Sequence, residues 1–383
     1  MNSSASRSIE VDLLRGVIFF VIALDHTLSG LLRNITLHSY AYCDAAEGFV
    51  FLGGYASAAA YTGVAKARGE IAAKRRFLRR AWQIYRAYLI TAALMLVCSA
   101  ILARGAGLRI DGVVLSRIVL NPLHSLADIA LFRRQPTLAG VLPMYVVFAL
   151  CVPLTAPLAR DTPAKALALS FTLWLFAPWL GATLPDATGE GWAFNPFAWQ
   201  LMFTLGMLCR LHPVSSQFQV SNRGRFLTSA AFCVALAIAL FRLRVDVHPT
   251  PGYMKQNLAG LRVVSFLAIA WLCAQFVRIG WGRALATRLT CVTTVGQQGL
   301  VCFVAGGVVS ILTDTCLQFF LSRWSSATLV NWPIRLLGDA FVIVALLFIG
   351  HLSAEIKRLQ AFRSTEREVI RSMREDYRLQ VQR

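Results

Sequence analysis

The sequence predicts an all-α, polytopic membrane protein with about ten spanning helices and both termini on the cytoplasmic side. Three observations carry this reading. The chain of 383 residues is 57% hydrophobic and only 15% charged, whereas soluble domains are about 45–50% apolar and about 25% charged. Apolar runs of roughly 18 residues or more, the length a helix needs to cross a bilayer, recur from end to end. Basic residues, finally, gather in the short connections between those runs.

The runs lie near 14–33, 46–66, 83–103, 139–158, 165–184, 195–211, 226–243, 260–280, 289–312 and 333–352. The first follows Arg7, as the apolar core of a signal peptide would. No small-residue cleavage site comes after it, only "RNITLHSYAYCD", so it is expected to remain as a span. The second begins at "CDAAEG" and continues through Gly53, Gly54, Ala56, Ser57, Ala58, Ala59 and Ala60, a smooth face for close helix packing. The connection at 67–82 contains "ARGEIAAKRRFLRR", the densest basic stretch of the chain. Basic connections also follow the fourth, sixth and eighth runs: Arg160 and Lys165; Arg210, Arg223 and Arg225; Arg278, Arg283 and Arg288. All four follow even-numbered runs and so share the side of the N-terminus, which the positive-inside rule makes the cytoplasm.

On these grounds residues 1–352 form a transmembrane domain, and 353–383 a basic cytoplasmic tail whose alternating charges fit a solvated or surface-associated helix. The opposite face receives the connections at 34–45, 104–138, 185–194, 244–259 and 313–332. Two of them, "NPLHSLADIALFRRQPT" and "DVHPTPGYMKQN", mix aromatics, Pro, His and charge, as a cover over a large polar substrate would. Plain connectors account for them equally.

The net charge of +19 is assigned to anionic membrane lipid rather than nucleic acid, because it resides in the connections. The nine cysteines show no CxxC or Cys/His spacing, and Cys98, Cys151, Cys209, Cys233 and Cys302 lie within apolar runs, so no metal site is expected. There is no G-x-S-x-G elbow, no G-x-G-x-x-G turn and no P-loop, which argues against a serine esterase, a nicotinamide enzyme and an ATP-driven pump.

The chemistry is concentrated in "LRGVIFFVIALDH", residues 14–26. Arg15 and His26 are eleven positions apart, about three helical turns, and share one face roughly 16 Å apart along the axis. Asp12, one turn before Arg15, can pair with it; snorkelling to lipid phosphate explains Arg15 alone equally well. Asp25 beside His26 makes simple burial of that histidine doubly costly. Asp44 and Glu47, one turn apart where the chain re-enters the membrane, fall at the depth of His26. Carboxylates beside a histidine orient and charge-balance it, and such a histidine is a natural general base.

Arg15 and His26 reproduce the arginine–ten residues–histidine signature of the membrane acyltransferase-3 superfamily. Within it the chain resembles the OpgC branch, named for succinylation of osmoregulated periplasmic glucans. The resemblance rests on "EVDLLRG" with "DH" at 10–26, "DAAEGFVFLGGY" at 44–55, "LPMYV" at 142–146, "FNPFAWQLMFTLG" at 194–206 and "KQNLAGLRVVSFLAIAWL" at 255–272. It covers residues 8–350 and departs at Gly53-Gly54, where Ser-Gly is expected. It implies an acyltransferase of the bacterial inner membrane that moves an acyl group, succinyl above all, from cytoplasmic acyl-CoA to hydroxyls of a periplasmic glucan. His26 becomes the catalytic base and Arg15 the donor-binding or site-organising cation. Asp25, Asp44 and Glu47 are assigned to the catalytic group by position and chemistry. Arg75, Arg76, Arg79, Arg80 and Arg86 are placed for the phosphates of acyl-CoA, whose geometry arginine suits, although topology explains them equally. Tyr145, Asn195, Trp199, Gln200, Lys255 and Arg262 sit at or near outer span ends, where the glucan would enter. Lys255 and Arg262 are also the cations available to a succinyl carboxylate. The alternative function is a proton-coupled transporter or exporter with Asp25, His26, Asp44 and Glu47 as its relay.

Overall fold

The computed structural model describes residues 8–106, 118–136, 138–246, 251–324 and 328–381, and every regular element among them is helical. Helix α1 (Ile9–Asp25) stops at the acid that precedes His26, short of the expected span end at 33. The chain then makes two single 3-10 turns before α2 (Ala45–Arg68). Asp44 is the N-cap of α2 and forms a capping box with Glu47, each side chain taking one of the amides that a helix start leaves unpaired. Gly69, at φ 81°, turns the chain into α3 (Glu70–Ala106). The basic stretch expected as a loop at 67–82 is therefore mostly helix, because Ala, Lys, Arg and Glu are strong helix formers and only Gly69 interrupts them.

A short helix, α4 (Pro122–Ala130), occupies part of the expected connection at 104–138, before α5 (Val141–Asp161). The expected span at 165–184 divides: α6 (Pro163–Leu175) ends at Phe176, and a separate turn runs over Ala177–Gly181 with Pro178 in its first turn. Pro178 has no amide to continue the ladder. Helices α7 (Pro196–Leu211), α8 (Asn222–Arg244) and α9 (Gly260–Arg278) follow the expected runs closely. The run at 289–312 is broken at Gln298 into α10 (Thr290–Gln297) and α11 (Gly299–Trp324), and α11 takes up much of the connection expected at 313–332. Last comes α12 (Thr328–Val381), 54 residues long and about 81 Å from end to end. The expected tail, as far as residue 381, continues this helix.

Six of these helices are long and apolar enough to cross a membrane: Glu70–Ile101, Val141–Asp161, Asn222–Arg244, Gly260–Arg278, Gly299–Ser322 and Asn331–Arg363. The protein is a multi-pass membrane protein. Helices α1, α6 and α7 have 17, 13 and 16 residues and fall short on length alone; α2 is long enough but rich in Gly and Ala.

Two close helix crossings set the core. A Cβ on Gly54 of α2 would run into the Phe203 carbonyl of α7, and one on Gly206 of α7 into the Phe51 carbonyl of α2. Gly16 of α1 and Gly296 of α10 make the same reciprocal contact, against the carbonyls of Val292 and Asp12. Small residues allow backbones to approach where lipid supplies no hydrophobic drive between helices. These crossings place α1 and α2 inside the bundle. Helix α8 lies at its outside, where Phe226, Phe232 and Phe241 are exposed.

Candidate active site

His26 is the C-cap of α1. Its Nδ1 lies 2.6 Å from the Ile22 carbonyl. A carbonyl only accepts, so Nδ1 carries the hydrogen and donates it, leaving Nε2 with the lone pair of a base. The charged groups that bear on the ring are Lys255, Asp25 and Asp44. Asp25 itself is engaged next door: its Oδ1 accepts from Thr36 Oγ1 at 2.5 Å and from His38 Nδ1 at 3.1 Å.

Asp44 and Glu47 join a four-member ionic network at the start of α2. Glu47 Oε2 accepts from the Asp44 amide at 2.9 Å, and its Oε1 from Arg262 Nε at 2.6 Å. Asp44 Oδ1 accepts from the Ala46 amide at 2.7 Å. Asp44 Oδ2 receives Lys255 Nζ at 2.8 Å and Arg262 Nη2 at 3.1 Å. The side chains of Glu47 and Arg262 are 0% and 1% exposed, while that of Lys255 is 37% exposed. Burial works against the charge of Asp44, yet Lys255 and Arg262 overcome it and hold that carboxyl well below the usual carboxylate range.

Asn195, Trp199 and Gln200 serve the backbone. Asn195 caps α7 through Oδ1 and the Phe197 amide at 3.0 Å, and its Nδ2 donates to the Ala177 carbonyl and to Asn257 Oδ1. Fully buried Trp199 donates from Nε1 to the Lys255 carbonyl at 2.9 Å. Gln200 joins α7 to α6 through the carbonyl and hydroxyl of Ser170.

The half of the bundle that holds the end of α2 and the start of α3 contains a cavity of about 930 Å³. Arg15, Arg75, Arg76, Arg79 and Arg80 line it, with Arg68 added from the end of α2. Arg15 and Arg76 lie close enough to Arg80 to act on its charge. Arg86 does not line the cavity; it is exposed further along α3. Its walls also carry Phe19, Phe49, Tyr145, Phe148, Phe203 and Phe303, and Arg15 Nη2 and the Phe19 ring both flank Gly299. Tyr145 Oη donates to the Phe49 carbonyl at 3.0 Å, and the Phe49 ring stacks on Phe303 with centroids 5.3 Å apart. The cavity therefore combines a cationic lining with an aromatic one, and Arg15 stands where the two meet. Phe19 is seven residues before His26, roughly 10 Å along α1.

Tyr145 also accounts for Gly53. A Cβ at that position would stand 2.8 Å from Tyr145 Oη, so a serine there would displace the phenol.

Two acids outside the expected set hold the segment that follows His26. Asp314 Oδ1 accepts from the Ser29 amide at 2.6 Å, and Asp339 Oδ2 from the amides of Leu31 and Leu32 at 2.7 and 2.9 Å. Together they fix the segment by which the chain leaves α1. The signal available in the sequence was a lone acid within an apolar run, Asp339 inside 333–352, since an unpaired intramembrane carboxylate is costly.

The chain is a polytopic helical bundle with a basic cavity toward one end and a histidine–acid–cation group toward the other. The chain belongs to the OpgC family: the family model described as OpgC protein matches residues 7–358, nearly the whole of it. Membership implies an acyltransferase that modifies glucan. No curated protein and no solved structure matches the chain.

Proposed function

We propose that this protein is an O-acyltransferase of the bacterial inner membrane, which carries an acyl group, succinyl in the first instance, from cytoplasmic acyl-CoA to hydroxyls of a periplasmic glucan. The observation that carries the reading is the placement of His26 and Arg15 on one helix. Nδ1 of His26 is committed to the Ile22 carbonyl, so Nε2 is the basic nitrogen, and three turns away Arg15 lines the basic cavity. In this reading α1, α2, α6 with its continuation and α7 cross beside the six long helices, and the positive-inside rule supports both termini and the cavity arginines on the cytoplasmic side, against anionic lipid.

In this reading the phosphates of acyl-CoA lie among Arg15, Arg75, Arg76, Arg79 and Arg80, where planar guanidinium forks suit them. The acyl arm extends along α1 past Phe19, Phe49 and Tyr145. His26 Nε2 takes the proton of a glucan hydroxyl, the oxygen attacks the thioester carbon, and the C–S bond breaks. The proton held by His26 passes to the departing thiolate. Asp25, Asp44 and Glu47 act around the histidine rather than on the substrate. The transporter alternative is less well supported, because a relay needs carboxylates free to exchange protons. Here Asp44 and Glu47 are ion-paired and Asp25 is held by Thr36 and His38.

The test is label transfer from succinyl-CoA to glucan by the full chain in proteoliposomes. Wild type is expected to transfer label, and His26→Ala to lose about 10²–10⁴-fold of the rate, the usual worth of a general base. Transfer undiminished by loss of His26 rejects the mechanism.

A further inference from the structure

Acyl transfer through a tetrahedral intermediate needs a donor for the negative charge that develops on the carbonyl oxygen. Arg15 is three helical turns from His26, too far to supply it. The outer network contains two cations, and their surroundings differ. Arg262 is buried and directed at both Asp44 and Glu47. Lys255 is more than a third exposed, and Asp44 Oδ2 is the one side-chain acceptor of its hydrogen bonds among the described residues. An ammonium has three donors, so two remain for a ligand.

The backbone around Lys255 is built to hold it still. Its carbonyl accepts from Trp199 Nε1, and the next carbonyl, of Gln256, accepts from the Asn195 amide at 3.1 Å. The Leu258 carbonyl accepts from Trp174 Nε1 at 2.8 Å, and Gln256 Nε2 donates to the carbonyls of Glu190 and Trp192. Leu258 is fully buried and takes the left-handed backbone conformation, φ 47°, which a branched side chain adopts only when its surroundings compel it. Two indoles, an asparagine and a strained leucine thus fix one short strap. The exposed charged group that this strap presents toward Asp44 is the Lys255 ammonium, which also stands 5.7 Å from the centre of the Phe194 ring.

We infer that Lys255 is the oxyanion donor of this site: its Nζ hydrogen-bonds the thioester carbonyl oxygen as that oxygen becomes negative, while Asp44 keeps the ammonium charged and aimed. This rests on the acyltransfer reading given above and assigns the group which that reading lacks. The chemistry balances without a further reactant. The acceptor oxygen bonds to the carbonyl carbon, the carbonyl electron pair moves to the oxygen facing Lys255, and its return expels the CoA thiolate, which takes the proton from His26.

The experiment is steady-state kinetics of the full chain in proteoliposomes, with succinyl-CoA and acetyl-CoA as alternative donors and glucan as acceptor, for wild type, Lys255→Gln and Lys255→Arg. Arg262 still holds Asp44 in both variants, and a thermal melt in detergent checks the fold. The expected result for Lys255→Gln is a loss of about 10²–10³-fold in kcat, equal for every donor that wild type uses, with KM within about twofold and partial recovery in Lys255→Arg. Unchanged kcat overturns the inference. So does a loss confined to the KM for succinyl-CoA, which would make Lys255 a site for the donor's distal carboxylate. Wild type that transfers from neither donor overturns the acyltransfer reading itself, and this inference with it.

Discussion

At the scale of single residues, Arg262 is the enclosed cation of the site. It is buried against Glu47 and Asp44, and Glu47 has no solvent to turn to. Breaking a buried pair from one side leaves an uncompensated charge, commonly at a cost of about 3–5 kcal/mol. Arg262→Met is accordingly expected to lower the melting temperature in detergent sharply, and Arg262→Met combined with Glu47→Gln to recover part of the loss. The network should also respond to acid. Asp44 is held below the ordinary carboxylate range in the folded protein, so its stabilisation is complete above that range and drains away as the pH falls through it toward the lower folded value. The difference between the melts of wild type and Asp44→Asn, followed as the pH falls, isolates this contribution, and it should shrink toward low pH. The sequence shows Asp44, Glu47, Lys255 and Arg262 as charges at outer span ends. Their pairing across more than 200 positions is a product of tertiary packing that no local pattern encodes, and it separates the enclosed Arg262 from the accessible Lys255.

At the scale of elements, the helices were legible and their ends were not. Apolar runs predict nearly every long helix, because a backbone in lipid must satisfy its own amides. Where a helix stops depends on which other acceptors wait at its end. Helix α1 stops at Asp25 because the amides of Ser29, Leu31 and Leu32 have Asp314 and Asp339 to donate to, acids that arrive from some 300 residues later. The N-terminus of α2, by contrast, could be read from Asp44 and Glu47 at capping-box spacing. Asp339→Ala would leave the amides of Leu31 and Leu32 without their acceptor, at about 1–3 kcal/mol for each buried donor. We expect lower thermal stability and a lower kcat, with donor binding in the distant cavity retained. An equilibrium binding measurement with acyl-CoA beside the kinetic assay separates the two effects. Equal loss of binding and turnover would mean that the bundle has been disturbed generally, not the exit of α1 alone.

At the scale of the whole molecule, two explanations compete for the arginines at 75–80. A positive-inside bias requires only charge at the cytoplasmic ends of spans. Donor recognition requires planar forks aimed into a cavity, and four of these arginines, with Arg15 and Arg68, do line one. Their convergence from three helices is costly, since like charges this close repel, and Arg80 feels both Arg15 and Arg76. A purely topological role would be served better by spreading the charges over the surface, as Arg86 is. Lysine therefore discriminates between the explanations: it keeps the charge and hence the topology, but it cannot form a bidentate phosphate pairing. For Arg79→Lys and Arg80→Lys the donor reading expects the KM for acyl-CoA to rise by about tenfold wherever a guanidinium fork had gripped a phosphate, which corresponds to about 1.4 kcal/mol. Turnover at saturating donor should change little, because the phosphates are bound alike in the ground and transition states. Arg86→Lys, outside the cavity, should leave the KM where it was. If all three lysine variants bind donor as wild type does, the arginines at 75–80 serve orientation in the membrane, and the donor must be held elsewhere along the path from Arg15 to His26.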